Sequence, residues 1–212
     1  TMKKFTNIIA RRPCQALVNG ITMSPELGKV DYKLAQKQHD DYLKALKAIG
    51  LDVYVIEKDE HFPDSVFVED AALLADKCAV ITNPGRMERR DEKVEMAAHV
   101  AQFYDPQKNL HYIQNPGTLD AGDVMMVDDT FYVGHTSRTN EEGIKQLREI
   151  FKPYGYKVIQ VEVGAGLHLK SSVSYLEHNN LLITSDLWDD PLFKNFNQIR
   201  VPDDEKYCAN SI

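Results

Sequence analysis

Cysteine is scarce in this chain: Cys14, Cys78 and Cys208 are the only three among 212 residues. An odd count with no metal or disulfide spacing argues against a stapled scaffold and fits a reducing compartment, so a cytoplasmic protein is expected. Long apolar runs are also missing. The longest spans residues 71–75, whereas a helix needs ~20 apolar residues to cross a bilayer, so no membrane partner is expected. Positive charge is in deficit: 25 Lys+Arg face 32 Asp+Glu, for a net charge of −7. That is the wrong sign for neutralising phosphates and excludes nucleic acid as the main partner. No apolar stretch follows the basic pair Lys3-Lys4, so the start does not read as a signal peptide, and Thr1 ahead of Met2 reads as a cloning remnant. What is present is ordinary: 43% hydrophobic and 27% charged residues describe a globular chain. It is long enough to bury roughly 70% of the surface its unfolded form exposes.

Apolar spacing predicts three amphipathic helices. Residues 30–49 place Leu34, Ala35, Tyr42, Leu43, Leu46 and Ile49 on one face and stop at Gly50. Residues 89–104 turn Val94, Ala97, Ala98 and Ala101 inward, with Pro106 closing the helix. The third opens at Asn140 as N-cap, with Glu141 and Glu142 in its first turn; it buries Ile144, Leu147 and Phe151 and stops at Gly155. Each helix is followed by a strand (51–56, 110–114, 156–163) and then by a hairpin (73–81, 125–133, 175–183). Leu74, Met126 and Leu176 hold equivalent places, 126−74=52 and 176−126=50 residues apart. This is a fixed-period repeat of one helix and three strands.

The repeat is cut at both ends. Residues 7–10 and 17–22 supply strands with no helix before them, and residues 191–212 supply a short helical stretch, a strand at 198–201 and the start of a hairpin. The whole chain, 1–212, is expected to be one α/β domain. If its modules close into a ring, the missing strands leave unpaired edges, so more protein is expected after Ile212.

Polar residues gather just ahead of each hairpin: Asp64, Glu69 and Asp70 in the first module, Asp120 and Asp123 in the second, His168 and Lys170 in the third. In modules arranged about an axis, equivalent positions converge, giving a ring of carboxylates with one imidazole. Arg86, Arg89, Arg90 and Arg138 follow the hairpins and fall at the same end. Carboxylates beside separate arginines suit a ligand with a cationic head and an anionic tail, such as an amino acid carrying a guanidinium group. Plainer readings stand beside this one. Most charged residues are solvated surface groups; Asp120-Ala-Gly-Asp123 reads equally as a turn; His168 between Leu167 and Leu169 reads equally as a hydrogen-bonded core residue. His39, His61, His99, His111, His135 and His178 read as structural or solvent-facing. No compact ligand spacing supports a metal site through Asp120, Asp123 and His168.

With these segments in hand, the chain resembles the dimethylarginine dimethylaminohydrolase family of the guanidino-modifying (amidinotransferase-like) superfamily. The resemblance runs from Ile8 to Asn210 and rests on five long motifs: Phe62-Pro-Asp-Ser-Val-Phe-Val-Glu-Asp70, Pro116-Gly-Thr-Leu-Asp-Ala-Gly-Asp123, Arg138-Thr-Asn140, Leu167-His-Leu-Lys170 and Tyr175-Leu-Glu-His-Asn-Asn180. It implies a five-bladed α/β propeller whose last blade is incomplete here. It implies hydrolysis of Nω-methylated arginine to citrulline and methylamine or dimethylamine through a cysteine thiouronium intermediate, with no cofactor. His168 would be the general acid and base, and Asp120 its acidic partner. Asp70 would hold the guanidinium, with Asp64 and Glu69 helping to fix the substrate. Arg89 and Arg138 would bind the α-carboxylate, and Ile21 would belong to a lid. The family's nucleophile is a cysteine near the extreme C-terminus; Cys14, Cys78 and Cys208 do not match it, and Cys208 is expected in an earlier strand of the last blade. The alternatives are a sister hydrolase acting on arginine or another guanidino compound, and a non-catalytic guanidino-ligand-binding fragment. The oligomeric state stays open, with a homodimer one outcome that an exposed propeller rim allows.

Overall fold

The computed structural model describes residues 5–164 and 168–211. Of the motif residues, Leu167 lies outside the described residues. Asp31 caps the first helix by accepting from the Leu34 amide at 3.1 Å. This helix, α1 (Tyr32–Ala48), connects two parallel strands, β1 (Asn7–Arg11) and β2 (Asp52–Ile56), with Asn7 opposite Asp52 and Arg11 opposite Ile56. Only Leu43 and Leu46 of α1 are buried; Leu34, Tyr42 and Ile49 remain exposed, because a two-stranded sheet covers less than the predicted apolar stripe.

Three further sheets share one plan. In each, a hairpin is followed by a third strand that runs parallel to the hairpin's second. The sheets are β3 (Ala72–Leu74), β4 (Ala79–Ile81) and β5 (Leu110–Tyr112); β6 (Val124–Val127), β7 (Thr130–His135) and β8 (Lys157–Glu162); and β9 (Val173–Tyr175), β10 (Asn180–Ile183) and β11 (Asn197–Arg200). The connection to the third strand is α2 (Glu92–Val100) in the first case, α3 (Glu141–Phe151) in the second and a 3-10 turn, Pro191–Phe193, in the third. The repeat therefore holds, with a small slip. Ala72 faces Ile81, Val124 faces Val133 and Val173 faces Ile183, so the true intervals are 124−72=52 and 173−124=49. Leu176 falls just past β9, and the third hairpin turns through Glu177, His178 and Asn179, all at positive φ.

Four expectations need correcting. Residues 17–22 are not a strand: Gln15–Asn19 form a 3-10 turn, drawn in by the Glu60 carboxylate, which accepts from the amides of Gln15 (3.2 Å) and Ala16 (2.9 Å). Among the described residues no hairpin strand begins near the C-terminus. Asp203–Ala209 coil into 3-10 turns instead, as Pro202 and the acids Asp203, Asp204 and Glu205 at their start favour. Cys208 is therefore exposed in a turn, not seated in a strand. Helix α2 buries Glu92, Met96 and Val100 and exposes Val94, because the ion pair of Glu92 with Arg89 turns its first residues inward. The third helix matches expectation. Asn140 accepts from the Gly143 amide at 2.8 Å, and Ile144, Leu147 and Phe151 enter a core where Phe131 and Phe151 have ring centroids 4.5 Å apart.

Ahead of each hairpin the backbone makes a 3-10 turn: Val68–Ala71, Ala121–Asp123 and Leu169–Ser171. The middle turn touches the other two, which brings three separate modules to one point.

Candidate active site

The middle turn begins with Asp120 and passes through Gly122, so the reading of Asp120-Ala-Gly-Asp123 as a turn describes the backbone correctly. It does not exhaust the segment. The Gly122 amide donates to Asp70 Oδ1 at 3.2 Å, and a Cβ on Gly122 would meet Asp70 Oδ1 at 2.7 Å and His168 Nδ1 at 2.9 Å. Only a hydrogen at that position lets the carboxylate and the imidazole approach from both sides.

His168 immediately precedes the third turn. Its Nε2 lies 3.2 Å from Asp120 Oδ2 and 3.8 Å from Asp70 Oδ1. The nearest polar atoms of Asp70, Asp120 and His168 all fall within 4.8 Å of one another, a spacing that one cationic centre can bridge. Asp120 is fully buried, and its Oδ1 accepts from the Gly85 amide at 2.8 Å while Oδ2 meets Arg138 Nη1 at 3.3 Å. Gly85 permits this approach: a Cβ there would lie 2.4 Å from the Arg138 carbonyl oxygen. Burial raises the Asp120 pKa, but the hydrogen bonds from His168 and Gly85 and the charges of His168 and Arg138 outweigh it and hold Asp120 below the usual carboxylate range. Burial also works against a charged His168. The Asp120 hydrogen bond and the charges of Asp70, Asp123 and Asp120 prevail, so its pKa rises above the ordinary value.

The two arginines expected to clamp a carboxylate differ sharply. Arg89 is buried, and its donors are occupied: Nε and Nη2 by Glu92, Nη1 by Asp70 Oδ2 at 2.6 Å, and Nη2 also by the carbonyls of Asp64 and Phe67. In this arrangement it braces Asp70 and offers no free fork, against the expectation of a ligand clamp. Arg138 has Asp120 as its one side-chain partner among the described residues, so most of its guanidinium donors remain available. Arg86 is exposed beside Glu88, and Arg90 bonds the Pro84 carbonyl.

The other expected residues frame this centre. Asp64 is buried and accepts from the Ile21 amide with both oxygens, at 3.1 and 3.2 Å, so it tethers the segment expected to form a lid. Glu69 is exposed and paired with Lys170, unlike its buried neighbour Asp70. None of the six other histidines bonds to the cluster among the described residues; His99, for example, contacts Tyr54 and Glu95. Sequence reasoning gave no role to Gly85, Gly122, Thr139 or Glu92. The two glycines and Thr139 could have been suspected from their places in or beside the motifs; Glu92 carries no such signal.

The thiols stand apart. Cys14 is buried against the carbonyls of Phe62 and Pro63, and burial, then the Glu60 charge, raises its pKa. Cys78 sits in the apolar core, where burial and Asp76 push its pKa up to about 12. Both are protonated at neutral pH and poor nucleophiles. Cys208 is exposed, and among the described residues no thiol bonds to His168, Asp120 or Asp70.

Known proteins point the same way. Residues 23–187 match the family model described as N,N dimethylarginine dimethylhydrolase, eukaryotic. The chain is 46% identical to N(G),N(G)-dimethylarginine dimethylaminohydrolase of Pseudomonas aeruginosa over 208 residues, covering 98% of this chain and 81% of that one. A Cys-to-Ser variant of the Pseudomonas aeruginosa enzyme in complex with citrulline superposes with a TM-score of 0.95 at 45% identity, covering 98% of this chain and 80% of that one. A His-to-Gly variant of a dimethylarginine dimethylaminohydrolase, an adduct with S-methyl-L-thiocitrulline, also gives 0.95, at 44% identity and with the same coverage. No helix among the described residues is long and apolar enough to cross a membrane.

Proposed function

The chain belongs to the dimethylarginine dimethylaminohydrolase family, and from that premise we propose how its residues hydrolyse Nω-methylated arginine to citrulline and methylamine or dimethylamine. The convergence of Asp70, Asp120 and His168 from three modules carries this reading. Asp70, locked by Arg89 and the Gly122 amide, takes the guanidinium group; Arg138 takes the α-carboxylate; Arg89 acts through Asp70. Asp64 holds the lid at Ile21, and closing the lid excludes water and strengthens the charged contacts beneath it. Glu69 lies at the rim, where a substrate amino group can compete with Lys170 for it.

A thiolate attacks the guanidinium carbon, and the carbon–nitrogen bond to the methylated nitrogen breaks as His168 donates a proton to the leaving amine. This leaves a thiouronium with sulfur bonded to that carbon. His168 then removes a proton from water, whose oxygen adds to the carbon; the carbon–sulfur bond breaks, releasing the ureido product and restoring the thiolate. The raised pKa of His168 keeps the acid form populated at neutral pH. Burial and protonation of Cys14 and Cys78, with the exposed turn position of Cys208, favour a sulfur supplied by a cysteine outside these 212 residues. The three sheets of common plan, with the two-stranded sheet β1–β2, are read as blades of a five-bladed propeller forming one domain.

The test is citrulline release from dimethylarginine and from arginine, by the 212-residue chain and by a version extended with the family's C-terminal segment. Turnover confined to the extended form and favouring dimethylarginine supports the reading. Turnover by the short form sinks the placement of the nucleophile; a strong preference for arginine replaces the substrate.

A further inference from the structure

Asp123 has no part in the chemistry above, yet its side chain is fully buried and makes three hydrogen bonds. Its Oδ1 accepts from the Leu169 amide at 2.9 Å, the residue directly after His168. Its Oδ2 accepts from the hydroxyls of Thr139 at 2.6 Å and Thr136 at 2.8 Å. The Thr139 oxygen in turn accepts from the Asp120 amide at 3.1 Å. One carboxylate thus ties the backbone beside the imidazole to the backbone of the acid it pairs with, across two modules.

We propose that Asp123 is the positioning residue of this hydrolase: through Leu169 and Thr139 it fixes His168 and Asp120 relative to each other, and its buried charge favours the imidazolium. The inference rests on the reading of His168 as the proton-transfer group. A carboxylate held by one amide and two hydroxyls, with no ion-pair partner among the described residues, is an unusual choice where only a turn must be stabilised, since burial penalises its charge. Burial does raise its pKa, while the His168 charge and the three hydrogen bonds pull it back. That opposition is what a carboxylate serving the neighbouring imidazole experiences. Asp70, Asp120 and Asp123 face His168 with negative charge, and Arg138 and Arg89 stand behind the first two.

Asp123→Asn keeps the shape and removes the charge; Thr139→Val removes the bridge to Asp120 and leaves the charge. Two readouts apply: turnover by the extended enzyme, and the imidazole titration of His168 followed by NMR in the 212-residue chain. Outer partners that orient metal-bound imidazoles are typically worth about 10–100-fold, and the low end of that range is the scale expected for this imidazole. Asp123→Asn is expected to lower kcat about tenfold or more, with KM within about twofold of the parent, and to move the His168 titration to lower pH. Thr139→Val is expected to lower kcat several-fold, with a smaller movement of the titration. If Asp123→Asn does not fold, the Thr139→Val pair of readouts decides alone. A folded Asp123→Asn with parental kcat and an unmoved titration overturns the proposal, as does a Thr139→Val protein unchanged in both. If no variant or parent turns over methylated arginine, the functional reading fails, and the titration still tests the positioning.

Discussion

Two regions of this molecule are equally buried and are held by opposite means. Around α3 and the sheet β6–β8, Phe131, Ile144, Leu147, Phe151 and Tyr156 pack as an apolar jigsaw. Where the three 3-10 turns meet, Asp70, Asp120, Asp123, Arg89 and Arg138 are as inaccessible, but each is fixed by directed hydrogen bonds and ion pairs. The first region stores stability in contacts that any well-shaped apolar side chain can make. The second spends desolvation to hold a geometry, and such clusters add little net stability while being costly to break. The comparison teaches that substitutions should separate cleanly: damage to the packed core lowers stability, and conservative damage to the charged centre lowers rate.

The largest effect tests that separation directly. In the extended enzyme, His168→Ala is expected to reduce turnover by about 10²–10⁴-fold while leaving substrate affinity within a few-fold, checked by steady-state kinetics and calorimetric binding. Phe151→Ala is expected to cost about 3–5 kcal/mol of folding stability, read from urea unfolding, while the kcat of the folded fraction stays close to parental. A His168→Ala protein that keeps its activity, or a Phe151→Ala protein of unchanged stability, would break the comparison.

Gly122 sharpens it, because there the backbone itself makes room for the charged centre. An added methyl would press on Asp70 and His168 together, and a displacement of about 1 Å at reacting groups costs about 10²-fold. Gly122→Ala is therefore expected to lose about that factor in kcat/KM with little change in the urea midpoint. An active Gly122→Ala would show that the two side chains need not be so close.

The pH dependence follows from His168. Its folded pKa is raised above the unfolded value of about 6.5. The stability from its contacts with Asp120 and Asp70 is fully present below about pH 6.5 and is lost as pH rises through the folded value. Histidine-detected NMR should show the His168 midpoint above the ordinary histidine value of about 6.5, and His168→Ala should flatten the stability profile across that window. A midpoint below 6.5 would mean that desolvation dominates.

The smallest effect is at the rim. Glu69 and Lys170 pair at a half-exposed position, where such pairs are worth about 0.2–1 kcal/mol. Lys170→Met should leave stability within that range and change KM more than kcat; a large loss of kcat would place Lys170 in the chemistry.

Much of this was legible in the sequence, because periodic features depend on local chemistry. Asn140 as a cap, the apolar spacing of α3 and the recurring hairpins are written in neighbouring residues. Clustering of Asp70, Asp120 and His168 followed from equivalence of their modules. The rest depended on contacts between distant segments. Residues 15–19 coil because Glu60 reaches them, and α2 rotates because Arg89 pulls Glu92 inward. The spent fork of Arg89 and the open fork of Arg138 look identical in a sequence, since which arginine finds internal partners is decided only on folding.

The most direct measurement is citrulline formation by the extended enzyme with Nω-dimethylarginine and arginine in parallel, for the parent and for Asp70→Asn. Rapid release from the methylated substrate, slower release from arginine, and loss of both on neutralising Asp70 are the predicted results. Equal or faster release from arginine, or full activity without the Asp70 charge, would contradict a centre built to hold a methylated guanidinium.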